Sequence, residues 1–381
     1  MSQSRVHWGI LGVGSPDAQT IAQAIEASDT GKLVAVAGKE SSAVSFAQTF
    51  VGIKTPAKDI SVYLEFDDLL KDKDVHAVYI SVPSNHHSEW ITKAMRAGKH
   101  VLCDSPLSST SQQMHHIINH NQATDNIFCM EAMSYHSHPF FKHLKKIIVA
   151  DKKLGDIRFI NATYTMDYSA NSRYKGGSIL DVGYYPLSYI RHLIGAEPTS
   201  VYGIGTRDPD TKKDSEATFV MQFENDIKVT LQTANNISMS WTFNITGTKG
   251  TLQVITNPWL PGNQGVYKLS IFDLEKANTS DVEEISYHYE KPPYILRSYS
   301  FDVLGKCILN KALTEDTVTL EHTLGNIQLV EAWRRLLMEK PQLYQSQASV
   351  TTLSHFKKPA FAEEKKAQAD VQIKPRQQRR T

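Results

Sequence analysis

The feature that most constrains this chain is an alternation in its first third. From Val6 to about Ile127, short apolar runs take turns with helical stretches. "VHWGILGV", "KLVAVAGK", "HAVYISVP", "HVLCDSP" and "NIFCMEA" read as strands. "DAQTIAQAIEAS", "SSAVSFAQTF", "FDDLLKDK", "HSEWITKAMRAG" and "TSQQMHHIINHNQAT" read as the helices between them. Strands that are apolar on both faces and separated by helices predict a parallel sheet covered on both sides. Ligands of such sheets bind beyond the carboxyl ends of the strands. The loops after Leu11, Ala37, Val82 and Cys103 are therefore expected around one crevice.

The pattern then changes. "DIRFINATYTMD", "TSVYGIGTRD", "EATFVMQFEN", "IKVTLQTANN", "WTFNITGTKG", "GTLQVITN" and "VYKLSIFDLE" follow largely in succession as strands. Asn225-Asp226 and Lys249-Gly250 suit hairpin turns between them. This predicts an open, mostly antiparallel sheet with one face covered by helices such as "LDVGYYPLSYIRHLIG". Two late helices, around "YSFDVLGKCILN" and "TLEHTLGNIQLVEAWRRLLME", are expected to pack on the body. At 381 residues two domains are expected, at 1–127 and 128–345, with a disordered basic tail at 357–381.

A net charge of +1 gives no reason to expect nucleic acid as partner. No apolar run approaches the ~20 residues of a membrane span, and "MSQSRVHWG" lacks the apolar core of a secretory signal. The three cysteines, Cys103, Cys129 and Cys307, form no CxxC. They suit a reducing, cytoplasmic setting and give no zinc site. The adjacent His86 and His87 do not converge as metal ligands, so no metal is expected.

"WGILGVGSPDAQTIAQAI" opens the alternating region. Gly12 allows a sharp strand-to-helix turn, and Gly14 lets the backbone approach a pyrophosphate. "SPD" reads as a helix start, with Ser15 as N-cap, Pro16 in the first turn and Asp17 complementing the helix dipole. Asp17 then stands where a ligand's phosphates are expected. Two like charges ~5 Å apart repel by ~3 kcal/mol at an effective dielectric near 20, unless the carboxylate points away or a cation screens it.

Several stretches together resemble the glucose–fructose oxidoreductase / inositol dehydrogenase (Gfo/Idh/MocA) family, near its dihydrodiol and sugar dehydrogenase branch. They are "GILGVG", "LVAVAGK", "FDDLLKDKDVHAVYISVP", "HSEWITKAMRAGKHVLCDSPL", "MEAMSYHSHP", "GGSILDVGYYPLS" and "GTKGTLQV", covering roughly residues 6–255. The resemblance implies an N-terminal Rossmann dinucleotide-binding domain and a C-terminal α+β domain whose open sheet pairs subunits. It implies NADP or NAD as cofactor and a small sugar, polyol or diol as substrate.

It also implies roles for particular residues. Lys39 falls near the family's basic residue for a 2′-phosphate, which favours NADP, while Glu40 keeps NAD in play. Pro83 and His87 match the loop beside the nicotinamide half, and His86 is read as surface. The family's Glu-Lys-Pro motif is here Asp104, Ser105 and Pro106, so a neutral serine stands in place of the catalytic lysine. Asp181 and Tyr185 are spaced i, i+4 and share a helix face. Relatives direct the acid at substrate, and in the dihydrodiol branch the tyrosine handles the proton. A phenol is a poor base at neutral pH without a cation beside it. His138 and His192 are candidate substitutes for the lysine or, more simply, packed histidines; Tyr184 and Cys103 are read as core. Two functions follow. One is hydride transfer between nicotinamide and a hydroxyl or carbonyl carbon of a sugar, polyol or cyclic diol. The other is a catalytically weakened member acting as a nucleotide-binding or scaffold protein.

Overall fold

The computed structural model describes residues 5–50, 55–124, 126–168, 176–260, 262, 264–271, 281–288 and 297–338. The expected tail and the last residues of the expected second domain lie outside these. The first sheet is built from β1 (Val6–Leu11), α1 (Ala18–Ala27), β2 (Gly31–Ala37), α2 (Glu40–Thr49), β3 (Ser61–Tyr63), α3 (Phe66–Lys71), β4 (Ala77–Ile80), α4 (His87–Arg96), β5 (His100–Cys103), α5 (Ser111–Gln122) and β6 (Cys129–Glu131). Its six strands are ordered β3-β2-β1-β4-β5-β6, every neighbouring pair parallel. The chain reverses its winding between β1 and β4, which opens a crevice at their carboxyl ends.

The apolar runs are unbroken because alternate residues enter different cores. Trp8 and Ile10 of β1, with Ala77 and Tyr79 of β4, belong to one buried cluster. Leu11, Val78 and Ile80 belong to the other. β3 was not among the strands expected. It is a three-residue edge strand whose Ser61 and Val62 are exposed, so no apolar pattern marks it.

A short helix missed by periodicity, α6 (Pro139–Lys145), leads from the first sheet to the second. His138 caps it, its Nδ1 accepting from the Phe140 amide at 3.0 Å. The second sheet has eight strands: β7 (Ile157–Thr165), β8 (Ser200–Arg207), β9 (Asp214–Gln222), β10 (Lys228–Ala234), β11 (Ser240–Gly247), β12 (Gly250–Val254), β13 (Gln264–Ile271) and β14 (Asp281–His288). Their order is β14-β13-β12-β11-β7-β10-β9-β8. All neighbours are antiparallel except β7 and β10. Asn225 and Asp226, at φ 60° and 62°, make the expected hairpin between β9 and β10.

One face of this sheet is covered. A π-turn at Ile179–Gly183 runs into α7 (Tyr184–Ile194). The late helices are α8 (Ser298–Asn310) and α9 (Leu320–Leu336). α9 bridges the two sheets: Glu331 accepts from the Ser111 amide at 2.8 Å, while Trp333 stacks on Phe219 of β9. α8 returns to the first sheet. Its Phe301 packs edge-on to Trp8 at 4.9 Å, and Asp302 accepts from Ser28 Oγ at 2.6 Å. Among the described residues no helix is long and apolar enough to cross a membrane.

Candidate active site

The crevice has two adjoining parts that share Val82. The first is lined by Gly12, Gly14, Ser15, Pro16, Lys39 and Pro83 among others. Gly12 has φ +103°, and a Cβ there would run into the Ser81 carbonyl oxygen. Only glycine suits that turn. A Cβ on Gly14 would stand 3.1 Å from Ser42 Oγ, so this position too narrows with any side chain.

Ser15 is not the N-cap. The amide of Ser15 bonds to the Gly12 carbonyl at 3.1 Å and that of Ala18 to the Ser15 carbonyl at 3.1 Å. These two turns delay the helical ladder, which begins at Asp17. Ser15 Oγ instead accepts from the Asp17 amide at 3.2 Å. Lys39 precedes α2, exposed, at the rim.

The second part is lined by Asp17, His87, Asp104, Ser105, Asp181, Tyr185 and Arg297 among others. Asp17 does not stand alone against a ligand's phosphates: Arg297 Nη2 lies 3.4 Å from its Oδ2. That guanidinium is the screening cation which the sequence left open.

Asp104 is fixed from below. Tyr79 OH donates to its Oδ1 at 2.5 Å and Ser81 Oγ to its Oδ2 at 2.9 Å. Burial and the Asp104 charge push the Tyr79 phenol far up, so it remains a donor. His87 is buried, with Nδ1 2.7 Å from the Pro106 carbonyl and Nε2 2.8 Å from the Val82 carbonyl. Both oxygens only accept, so both contacts are hydrogen bonds only when the ring carries two protons. Its ring ties together the loops after β4 and β5.

Asp181 Oδ2 accepts from the amides of Gly176 at 2.7 Å and Gly177 at 3.1 Å. Burial pushes its carboxyl up to about 6, against those amides and the Arg334 charge. Asp181 and Tyr185 face the same cleft although the segment between them includes the π-turn. Tyr184 points the other way, fully buried, its hydroxyl donating to Glu131 Oε2 at 3.1 Å. Ser105 lines the cleft with a buried hydroxyl. His192 is tied to His136 at 3.0 Å and lies outside this cleft, as does His138, the α6 cap. His86 is exposed and Cys103 buried. Among the described residues no group of three His, Cys, Asp or Glu is placed to hold a metal.

Sequence reasoning missed Arg297, Tyr79 and Ser81. Alternation along the strand entering "YISVP" puts Tyr79 and Ser81 on one face, so that signal existed. Nothing in the sequence pointed Arg297 at Asp17, 280 residues away.

A glycine turn at the switch point of a parallel sheet, opening beside a cleft of fixed acids and a tyrosine, defines a class: the dinucleotide-binding oxidoreductases. Residues 6–132 match the family described as oxidoreductase family, NAD-binding Rossmann fold. Residues 141–253 match the GFO/IDH/MocA C-terminal domain. The chain belongs to the Gfo/Idh/MocA oxidoreductase family. It is 27% identical over 264 residues to the trans-1,2-dihydrobenzene-1,2-diol dehydrogenase of Sus scrofa, covering 67% of this chain and 76% of that protein. It is 24% identical over 253 residues to the D-xylose 1-dehydrogenase (NADP(+)) 2 of Haloferax volcanii, covering 65% of this chain and 74% of that one. Among solved structures it resembles the 3-ketoreductase KijD10 from Actinomadura kijaniata in complex with NADP and TDP-benzene. The TM-score there is 0.74 at 22% identity, over 87% of this chain and 98% of the other. The aldose-aldose oxidoreductase from Caulobacter crescentus gives 0.73 at 20% identity, over 87% and 97%.

Proposed function

We propose that this protein is an NADP(H)-dependent oxidoreductase acting on a hydroxyl or carbonyl carbon of a sugar, polyol or cyclic diol. The observation that carries the reading is the convergence of Asp104, Asp181 and Tyr185 on a cleft that adjoins the glycine turn. Gly12, Gly14, Ser15 and Pro16 would hold the pyrophosphate, Lys39 a 2′-phosphate, and Pro83, His87 and Asp104 the nicotinamide half. When bound, the nicotinamide supplies or accepts a hydride at the substrate carbon. Tyr185 holds the proton of the substrate oxygen, Asp181 orients that oxygen, and Ser105 adds a neutral polar wall. The relatives named for diol and xylose dehydrogenation support this substrate class. Cys103, Cys129 and Cys307, buried and joined in no disulfide, suit a cytoplasmic enzyme.

A second reading keeps the nucleotide and loses the chemistry. Ser105 where the family's motif has lysine favours it. One experiment separates the two. Thermal stability and nicotinamide fluorescence are followed with NADPH and NADH, then turnover is measured on a panel of aldoses, polyols and cyclic diols. Turnover that falls 10²–10⁴-fold in Tyr185→Phe, with NADPH binding unchanged, is the expected result. Binding without turnover on any member of the panel would favour the second reading, and no binding of either nucleotide would defeat both.

The face of the second sheet that no described helix covers carries Phe159, Tyr202, Ile204 and Val220 in exposed positions. We infer that this face pairs two copies of the chain, since exposed apolar side chains on a flat sheet favour burial against a second one.

A further inference from the structure

The proton step proposed for Tyr185 needs a positive charge that Ser105 does not carry. Among the described residues lining the cleft, the single lysine or arginine is Arg297, in the turn that opens α8. Its pair with Asp17 is loose: 3.4 Å, against the ~2.8 Å of a firm charge-assisted bond. A guanidinium has five N–H donors. Nη1 is buried and has no hydrogen-bond partner among the described residues. Burial works against the charge on Arg297, but the carboxylates of Asp104 and Asp17 act in the opposite sense and strengthen its hold on the proton. The guanidinium is thus a permanent cation, incompletely bonded, lining the same cleft as the residue assigned to acid–base work.

We propose that Arg297 is the acid–base cation of this cleft, stabilising the Tyr185 phenolate in place of a lysine. The proposal rests on the reading of Tyr185 given above. In the direction of reduction the Tyr185 O–H bond breaks, the proton goes to the substrate oxygen, and the electron pair stays on the phenolate in the cleft that Arg297 lines. Water then reprotonates the phenolate. In oxidation the phenolate takes the substrate's hydroxyl proton. Besides Arg297, the charged or titratable groups lining the cleft with Tyr185 are Asp17, His87, Asp104 and Asp181. Tyr79 stands behind Asp104, and Glu131 holds the adjacent Tyr184.

The test uses the full chain labelled with ¹³Cζ-tyrosine, with the Tyr185 resonance assigned through Tyr185→Phe. Its titration is followed by NMR in the native protein, in Arg297→Lys, in Arg297→Met and in the double variant Asp17→Asn/Arg297→Met. Removing the cation is expected to raise the Tyr185 midpoint by about one pH unit or more, the usual scale for an opposite charge nearby. Arg297→Lys is expected to stay near native. In the double variant NADPH affinity recovers, because no bare carboxylate remains, but the midpoint stays raised. The alkaline limb of the kcat profile in the reducing direction moves with it. Should the methionine variant fail to fold, Arg297→Gln replaces it. An unmoved midpoint in the single variant, or a native midpoint in the double one, overturns the proposal and leaves Arg297 as a mere screen for Asp17. If Tyr185→Phe keeps full turnover while Arg297→Met still shifts the titration, the assignment of Tyr185 to the proton step has failed and the electrostatic contact stands.

Discussion

Glu131 closes β6 with no exposed surface and accepts at Oε2 from Tyr184 at 3.1 Å and Thr323 at 2.9 Å. Burial dominates and pushes its carboxyl up to about 7. An unfolded glutamate releases its proton near 4.3. Between those values the folded protein holds a proton that the unfolded chain has lost, so this group's contribution to stability is complete at low pH and disappears as pH rises through about 7. Glu131→Gln keeps an oxygen acceptor and removes the titration. It should be more stable than native at pH 8 by roughly 1–3 kcal/mol and no different near pH 4. Melting temperatures of the two proteins across that range check this; parallel curves would refute it. At this scale the sequence was legible where local spacing fixes direction. Asp181 and Tyr185 share a cleft and Tyr184 turns away, as their spacing predicts, even though a π-turn intervenes. Arg297 was illegible because its meaning comes entirely from a distant partner.

Gly12 shows how an element carries function through its backbone. Its φ of +103° lets β1 turn into α1 against the Ser81 carbonyl. Gly12→Ala adds both a strained backbone and a steric conflict. It should cost about 1–3 kcal/mol of stability and weaken NADPH binding at least tenfold; denaturant unfolding and fluorescence titration read the two effects, and a fully stable variant with native affinity would contradict the account. The strand–helix alternation was legible in the first sheet, the exposed edge strand β3 excepted, because buried parallel strands are apolar on both faces. The start of α1 was misread at Ser15, since two short turns and an ordinary N-cap look alike in "SPD". β14 was missed for a different reason. It pairs on one side only, and "DVEEISYH" puts two adjacent acids where alternation would be sought. The seven residues of α6 are too few for helical periodicity to register.

At the scale of the molecule, two opposed faces of the second sheet have different fates. Gly203 of β8 makes room for Trp333 of α9, whereas Tyr202 and Ile204 on the other face are more than 60% exposed. Charges at those two positions should break the pairing inferred for that face. Tyr202→Lys/Ile204→Lys is expected to sediment as a monomer with a native far-UV spectrum, and a native protein that is itself monomeric at tens of micromolar would exclude the dimer. That a late helix would dock on the body was readable from the sequence. Which sheet it docks on was not, because its apolar stripe fits either.

The return of α8 has a further consequence. Phe301 seals Trp8 and Tyr79, Asp302 fastens the loop before β2, and Arg297 reaches Asp17. A ribosome releases the opening strand almost 300 residues before it makes the segment that finishes covering it. Growing chains therefore carry an unsealed aromatic patch through most of synthesis, and a protease that clips the chain just ahead of Arg297 would not liberate a working half.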